Sequence, residues 1–369
     1  MKTLDNTLEQ KLSALAKRLV DSSKARVIVK AQKDASGYWY GGGNMITGSD
    51  GNLYLTGRYR NYGDSRTGVG AGERGLELAI FSSPDKGQSW EKVVSFSKQD
   101  LDVGDRSVVS VEGSALNWTE DGVELFVSTE KSNLPYPEGY ESFLKPGSGV
   151  WTIDVLKAES IEELKNAKIK TVLETDDLRY LHIKDPFIYK GKAGETVLLF
   201  CTHPFSWSSS NTGYTLRPKG ADSFSNTNFD FFPRGTTWDV AITRGTAVVD
   251  VPKVGAFKDI RASLVFYDGG ESLRNLDEHK TAVKRPRGYS CEELGGAGYF
   301  VDGNLNQIQR LSRIAPFFVS DTGTGCIRYV DVLDTPDGMY VTWQQSQEDL
   351  SQPLMLNFLS RAEIEQILQ

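Results

Sequence analysis

The feature that most constrains this chain is a hairpin signature that returns at a fixed interval. Asp50-Gly51 opens the alternating run Asn52-Leu53-Tyr54-Leu55-Thr56, and Asp121-Gly122 opens Val123-Glu124-Leu125-Phe126-Val127. Gly194 leads into Glu195-Thr196-Val197-Leu198-Leu199-Phe200, and Asp337-Gly338 into Met339-Tyr340-Val341-Thr342-Trp343. The four glycines stand at 51, 122, 194 and 338, so the gaps are 71, 72 and 144, the last being two periods. A fifth copy is due near residue 266, where Ala262-Ser263-Leu264-Val265-Phe266-Tyr267 forms an apolar strand with no Asp-Gly turn before it. Asp-Gly between apolar runs marks a tight hairpin, because glycine accepts the positive φ such turns need. Strand pairs of this kind cannot bury both faces alone, and stacking the copies radially about an axis does so. The expected fold is all-β: a five-bladed β-propeller over residues 26–369, preceded by a helix within residues 1–25 and followed by a short C-terminal helix.

Both helices have their own signals. Leu8, Leu12, Leu15 and Leu19 recur at helical spacing, with Asn6 and Glu9 as a capping box. Ser360 and Glu363 frame a helix from Arg361 to Leu368, and the strand Leu354–Leu359 just before it is expected to close the ring with chain from the first third. In Ser83-Pro84-Asp85-Lys86-Gly87-Gln88-Ser89-Trp90, the Asp85 carboxylate is expected to cap the N–H groups of a tight turn with Trp90 packed beneath.

Composition excludes several functions. A net charge of −7 and a pI near 5.3 speak against a general nucleic-acid binder. No run of 18 apolar residues exists to span a membrane. The N-terminus does not resemble a secretion signal, which makes a cytoplasmic protein the expectation. Cys201, Cys291 and Cys326 offer no disulfide framework, and His182, His203 and His279 have no metal-ligand spacing. Neither a G-x-S-x-G elbow nor a phosphate-binding loop is present. The expectation is therefore no metal, no cofactor, and chemistry by carboxylates.

In a propeller the innermost strand of each blade lines the axis, and here it should precede the hairpin turn. Reading back nine or ten residues from each turn gives Gly41-Gly42-Gly43-Asn44 in the first blade, Glu112 in the second and Asp185 in the third. The fifth offers Arg328, Tyr329 and Asp331. For the fourth, Thr237-Trp238-Asp239-Val240-Ala241-Ile242 is the expected inner strand, with Asp239 facing the axis. Glu112, Asp185, Asp239 and Asp331 would then converge. Acidic groups on apolar strands are costly to bury unless paired or functional, and two opposed carboxyl groups are what glycoside hydrolysis needs. The second strands end in residues suited to sugar hydroxyls and C–H faces: Arg58 and Arg60, Glu130, His203 with Trp207, Asp268, and Gln344. Loop residues Asp64, Arg66, Glu73 and Arg74 follow the first of these. A long insertion, Arg274 to Tyr299, carries Lys280, Lys284, Arg285 and Arg287 and then Glu292, a candidate acid/base that could close over substrate.

With these residues in view, the chain resembles the five-bladed propeller glycoside hydrolases of the family 43 arabinanase and xylosidase group. The resemblance is carried by the repeat, by Lys184-Asp185-Pro186 opening an inner strand, and by Gly149-Val150-Trp151-Thr152-Ile153-Asp154. It implies three axial carboxylates, with Asp185 as base or pKa-tuning residue and Glu112 or Glu292 as acid. It also implies a carbohydrate substrate, with a terminal arabinofuranosyl or galactofuranosyl group preferred. Asn44 stands where that group places an aspartate. The segment Ser83–Trp90 is instead similar to the Asp-box of sialidase-like propellers, whose carboxylate-binding arginines would correspond to Arg58, Arg60 and Arg234. Two other readings use the same scaffold: a polysaccharide lyase, and a sugar-binding propeller without catalysis.

Overall fold

A computed structural model of the chain describes residues 3–60, 75–144, 147–270 and 293–369. Helix α1 (Asn6–Leu19) comes first, and strand β1 (Arg26–Val29) follows it. Blade I contains β2 (Trp39–Gly41) and β3 (Met45–Thr47), both paired to β4 (Leu53–Arg60), then β5 (Glu77–Ser83) and β6 (Glu91–Ser97). Blade II is β7 (Val108–Thr119), β8 (Gly122–Lys131), β9 (Val150–Ala158) and β10 (Lys170–Leu173). Blade III is β11 (His182–Lys190), β12 (Thr196–His203), β13 (Asn211–Arg217) and β14 (Ser225–Phe232). Blade IV is β15 (Ile242–Asp250), β16 (Ala262–Gly270), β17 (Leu294–Val301) and β18 (Gln309–Arg310). Blade V runs outward as β19 (Ile327–Thr335), β20 (Gly338–Gln345), β21 (Leu354–Ser360) and finally β1. Five antiparallel sheets make the expected five-bladed propeller.

The ring is closed by the chain's own beginning. Arg26 and Val27 of β1 pair with Leu356 and Met355 of β21, so the last blade takes its outermost strand from ahead of the first. Period-2 alternation then gives every seam its own apolar filling. Along β12, Leu198 and Phe200 pack with Ala115 and Phe126 of blade II, whereas Val197 and Leu199 pack with Val248 and Val265 of blade IV. Leu78 and Ile80 meet Leu125 and Val127 between blades I and II, and Leu53 and Leu55 meet Tyr340 and Leu356 between I and V.

The seam between blades IV and V is capped by α1 and by α2 (Arg361–Leu368), whose Leu12, Leu15, Leu19, Ile364 and Leu368 join its core. Ser360 and Glu363 form the expected capping box of α2. At α1 the N-cap is Asp5 rather than Asn6: its carboxylate accepts from the Leu8 N–H at 2.8 Å, so the helix begins one residue earlier than the sequence reading placed it. Segment 83–90 is a turn joining β5 to β6. Ser89 donates to Asp85 from its backbone at 2.9 Å and from its hydroxyl, and these bonds hold Asp85 down at about 2. No helix among the described residues is long and apolar enough to cross a membrane.

Candidate active site

All five inner strands are interrupted at one level. The pairing register shifts between Val111 and Ser114 in β7, Lys184 and Phe187 in β11, Gly245 and Ala247 in β15, and Arg328 and Asp331 in β19. In blade I the break is complete, separating β2 from β3 at Gly42–Asn44. Bulges of this kind bend a strand and re-aim its side chains. Here they leave Asp185 and Tyr329 in the left-handed region, each at φ 52°, and Gly42 at φ 74°. Aspartate tolerates that conformation; for a tyrosine it costs about 1–3 kcal/mol and must be held from outside. The Tyr329 N–H does so, donating to both oxygens of Asp268 at 3.1 Å. Gly113 permits a close approach at this level, since a Cβ there would lie 2.7 Å from the Asp185 Cα. A cavity of about 20 Å³ remains on the axis, lined by Gly42, Ser114, Asp185, Gly245 and Tyr329 among others.

Around these breaks, at the blade ends away from the hairpin turns, four carboxylates interlock with three arginines. Arg58 on β4 donates Nε to Glu112 at 2.8 Å, places Nη2 at 2.6 Å from the same oxygen, and donates Nη1 to the Gly41 carbonyl at 2.9 Å. Arg244 on β15 bridges three acids: Asp268 at 2.7 Å, Glu293 at 2.5 Å and Asp185 at 3.3 Å. Arg328 on β19 donates to Glu293 at 2.8 Å and to the Gln344 amide oxygen at 3.1 Å. The Tyr329 hydroxyl lies between blades, 3.4 Å from Asp185 and 3.3 Å from Arg58 Nη2. Asp185 also accepts from the Gly113 N–H at 3.1 Å, and the Cys201 thiol points to it at 3.4 Å. Lys184 packs its ammonium over Trp151 and Trp207, 4.9 and 5.4 Å from the ring centroids.

The electrostatics divide the acids. Burial acts to raise Glu112, but the charges of Arg58, Lys184 and Arg60 overcome it and hold the group down to about 2. Glu293, against the same burial, is pulled well below the carboxylate range by Arg244 and Arg328. Asp268 goes the other way: burial, helped by the Glu293 charge, pushes it up to about 6 against the pull of Arg244. Burial also drives the Tyr329 phenol and the Cys201 thiol well up and His203 well down, so none of the three carries charge near neutrality. Glu112 and Glu293 are the accessible pair, with side chains 14 % and 16 % exposed, against 4 % for Asp185 and 0 % for Asp268.

The sequence-predicted residues divide accordingly. Glu112, Asp185, Arg58, Asp268, Arg328 and Gln344 are brought together. Arg60 flanks the cluster over the Trp39 ring, and His203 and Trp207 flank it beside Cys201 and Lys184. Asp331 is turned aside: it accepts from the Met45 N–H of β3 at 2.8 Å and stitches blade V to blade I. Asp239 is not on the fourth inner strand, which begins only at Ile242; it lies in the preceding turn, paired with Arg310 of β18 at 2.7 Å. The cause is the missing Asp-Gly turn, which in blade IV is replaced by the longer connection from Val251 to Arg261 and removes the landmark used for counting. The matching inner-strand residue is Arg244, flagged only by the small Gly245 beside it. Arg234 is exposed on a loop, so the third central arginine is again Arg244. Glu292, Asp64, Arg66, Glu73, Arg74 and the basic run Lys280 to Arg287 lie outside the described residues; Glu293, next to Glu292, is the acid seen in the cluster. Trp39 gave no signal beyond being an aromatic near the first glycines. Among the described residues no three His, Cys, Asp or Glu side chains are grouped to hold a metal ion.

Compared by sequence, the chain matches no family pattern and no curated protein. Compared by shape, it is similar to a thermostable family-43 glycoside hydrolase, at TM-score 0.53 and 11 % identity over 89 % of this chain and 91 % of that one. The α-L-arabinofuranosidase from Lactobacillus brevis gives 0.55 and 6 % over 89 % and 92 %. The fold is that of the five-bladed glycoside-hydrolase propellers. It extends to a β-1,2-mannobiose phosphorylase from Listeria innocua, at 0.53 and 10 % identity over 94 % of each chain. At such identities the likeness concerns the fold, and the propeller's chemistry has to be argued from its own side chains.

Proposed function

We propose that this propeller is a glycoside hydrolase that removes terminal sugars by carboxylate acid/base catalysis. The supporting observation is the split within the axial cluster: one accessible carboxylate held ionised and, beside it, a carboxyl that keeps a proton. Environments that push neighbouring acids apart are how one site supplies both a base and an acid. Glu112, pinned through one oxygen by Arg58, is the base or nucleophile. Asp268 and Glu293 share Arg244, and of the two it is Asp268 that keeps a proton up to about 6 and serves as the acid; Glu293, ionised between Arg244 and Arg328, holds Arg244 in place beside it. Asp185 touches Arg244, Tyr329 and the Gly113 N–H, and positions them. His203, Trp207 and Lys184 form the flank against which a sugar face would lie.

The lyase reading needs a tyrosine or histidine to abstract a proton; burial holds Tyr329 protonated far above neutrality, whereas it keeps His203 uncharged. The test is a panel of aryl glycosides, arabinofuranosides and galactofuranosides included, with Glu112→Gln and Asp185→Asn alongside. Each variant should lose about a thousandfold in turnover while melting as a folded protein. Full activity in both would refute the assignment. Absorbance from a new double bond would favour a lyase, and saturable binding without a released reducing end would favour a sugar-binding propeller.

A further inference from the structure

At the seam between blades V and I lies a group of side chains whose hydrogen-bonding capacity exceeds what the carboxylate cluster takes up. Arg328 and Gln344 face each other across β19 and β20, and the Arg328 guanidinium lies on the Trp39 ring at 3.9 Å from its centroid. Arg328 spends Nε on the Gln344 oxygen and Nη1 on Glu293. Three N–H groups are then left over: Arg328 Nη2, Gln344 Nε2 and Trp39 Nε1. All three are shut off from solvent and donate to nothing among the described residues. Arg328 is 7 % exposed and Gln344 0 %, so these are interior groups, not surface ones. An unpaired buried donor is costly. Turning the Gln344 amide over offers no relief, because its oxygen is what receives Arg328 Nε.

The three groups share one chemical character. Arginine and tryptophan side chains only donate, and Gln344 turns its NH2 away from the oxygen that receives Arg328 Nε. The complement is a group rich in acceptor sites. A sugar hydroxyl accepts through a single oxygen and must place its own proton as well. A carboxylate offers two oxygens with about four acceptor sites, carries the charge that a guanidinium prefers, and suits paired planar N–H donors. Arg58 and Arg60 also lie within 5.9 and 5.2 Å of the same Trp39 ring centroid, which adds positive potential at this spot.

We infer that the unpartnered donors of Trp39, Arg328 and Gln344 receive the carboxylate of an acidic sugar, so that the substrate is a uronic-acid-containing saccharide. This rests on the proposed glycoside-hydrolase function of the same site. Calorimetric titration of the full chain with methyl glucuronide and methyl galacturonide, against the neutral methyl glucoside and methyl galactoside and against inorganic phosphate, tests it. At least one uronide should bind about tenfold or more tighter than its neutral partner, the scale of one charge-assisted hydrogen-bonded contact. Arg328→Gln and Gln344→Glu should each abolish that preference. Equal affinity for uronides and neutral glycosides, binding of phosphate without any uronide, or an undiminished preference in both variants would overturn it. If a variant fails to fold, the wild-type comparison decides alone. The two readings also fail separately: uronide binding with no cleavage of any glycoside would sink the hydrolase function only, and cleavage of neutral aryl glycosides with no uronide preference would sink this inference only.

Discussion

Asp331 gives a prediction whose size follows from its surroundings. It is buried between blades V and I with no cation bonded to it among the described residues, and accepts the Met45 N–H. Burial pushes it up to about 7 from an ordinary 3.8, against the opposing pull of backbone N–H donors. An acid that holds its proton more tightly when folded favours the folded state at low pH. That advantage is complete below the unfolded value, erodes as pH rises between the two values, and is gone above about 7. At about pH 5, two units below the folded value, the contribution is about 3 kcal/mol, and by about pH 8 it has vanished. Asparagine keeps an oxygen for the Met45 N–H and does not titrate. Relative to wild type, Asp331→Asn should therefore gain about 3 kcal/mol between about pH 5 and about pH 8 in denaturant unfolding. A variant equally stable or unstable relative to wild type at both pH values would show that Asp331 ionises normally, and that the blade V–I stitch is not the low-polarity place described.

The pH–rate profile should fall above about 6 as Asp268 loses its proton, and on the acid side only near about 2, where Glu112 is neutralised; a rate that rises through neutrality would exclude this acid. Lys131 and Asp154 form a fully buried pair at 2.7 Å. Lys131→Met should cost about 3–5 kcal/mol in chemical denaturation, and adding Asp154→Leu should recover most of that loss; a neutral single variant would mean that the pair is dispensable. Gly113→Ala should push against Asp185 and lower turnover far more than its overpacking cost of about 1–3 kcal/mol lowers the melting temperature; unchanged kinetics would mean that the blade II bulge does not set the site.

The ring was legible because its signal is local and repeated. Each Asp-Gly or Gly-Glu turn fixes a hairpin, and counting back from it finds the inner strand, which is how Glu112, Asp185 and Arg328 were reached. Where the turn is missing the count has no landmark, and it falls on Asp239 instead of Arg244. What no local signal carries is which carboxylate meets which arginine. Arg244 draws acids from β11, β16 and the residue just before β17, and that meeting depends on bulges that show only as register shifts between paired strands. Glu293 was missed by one position, because face alternates with every residue and only the start of β17 at Leu294 sets the parity.

The pairing of β1 with β21 also orders events during synthesis. Arg26–Val29 is made long before its partner Leu354–Ser360. Until then the nascent protein is an incomplete fan whose two end blades each lack a neighbour, and unpaired strand edges of that sort invite intermolecular pairing. Closure of the ring waits on a contact between segments far apart in sequence, a topology that folds slowly. Loss or late arrival of Leu354–Ser360 should therefore favour aggregation over a population of four-bladed intermediates.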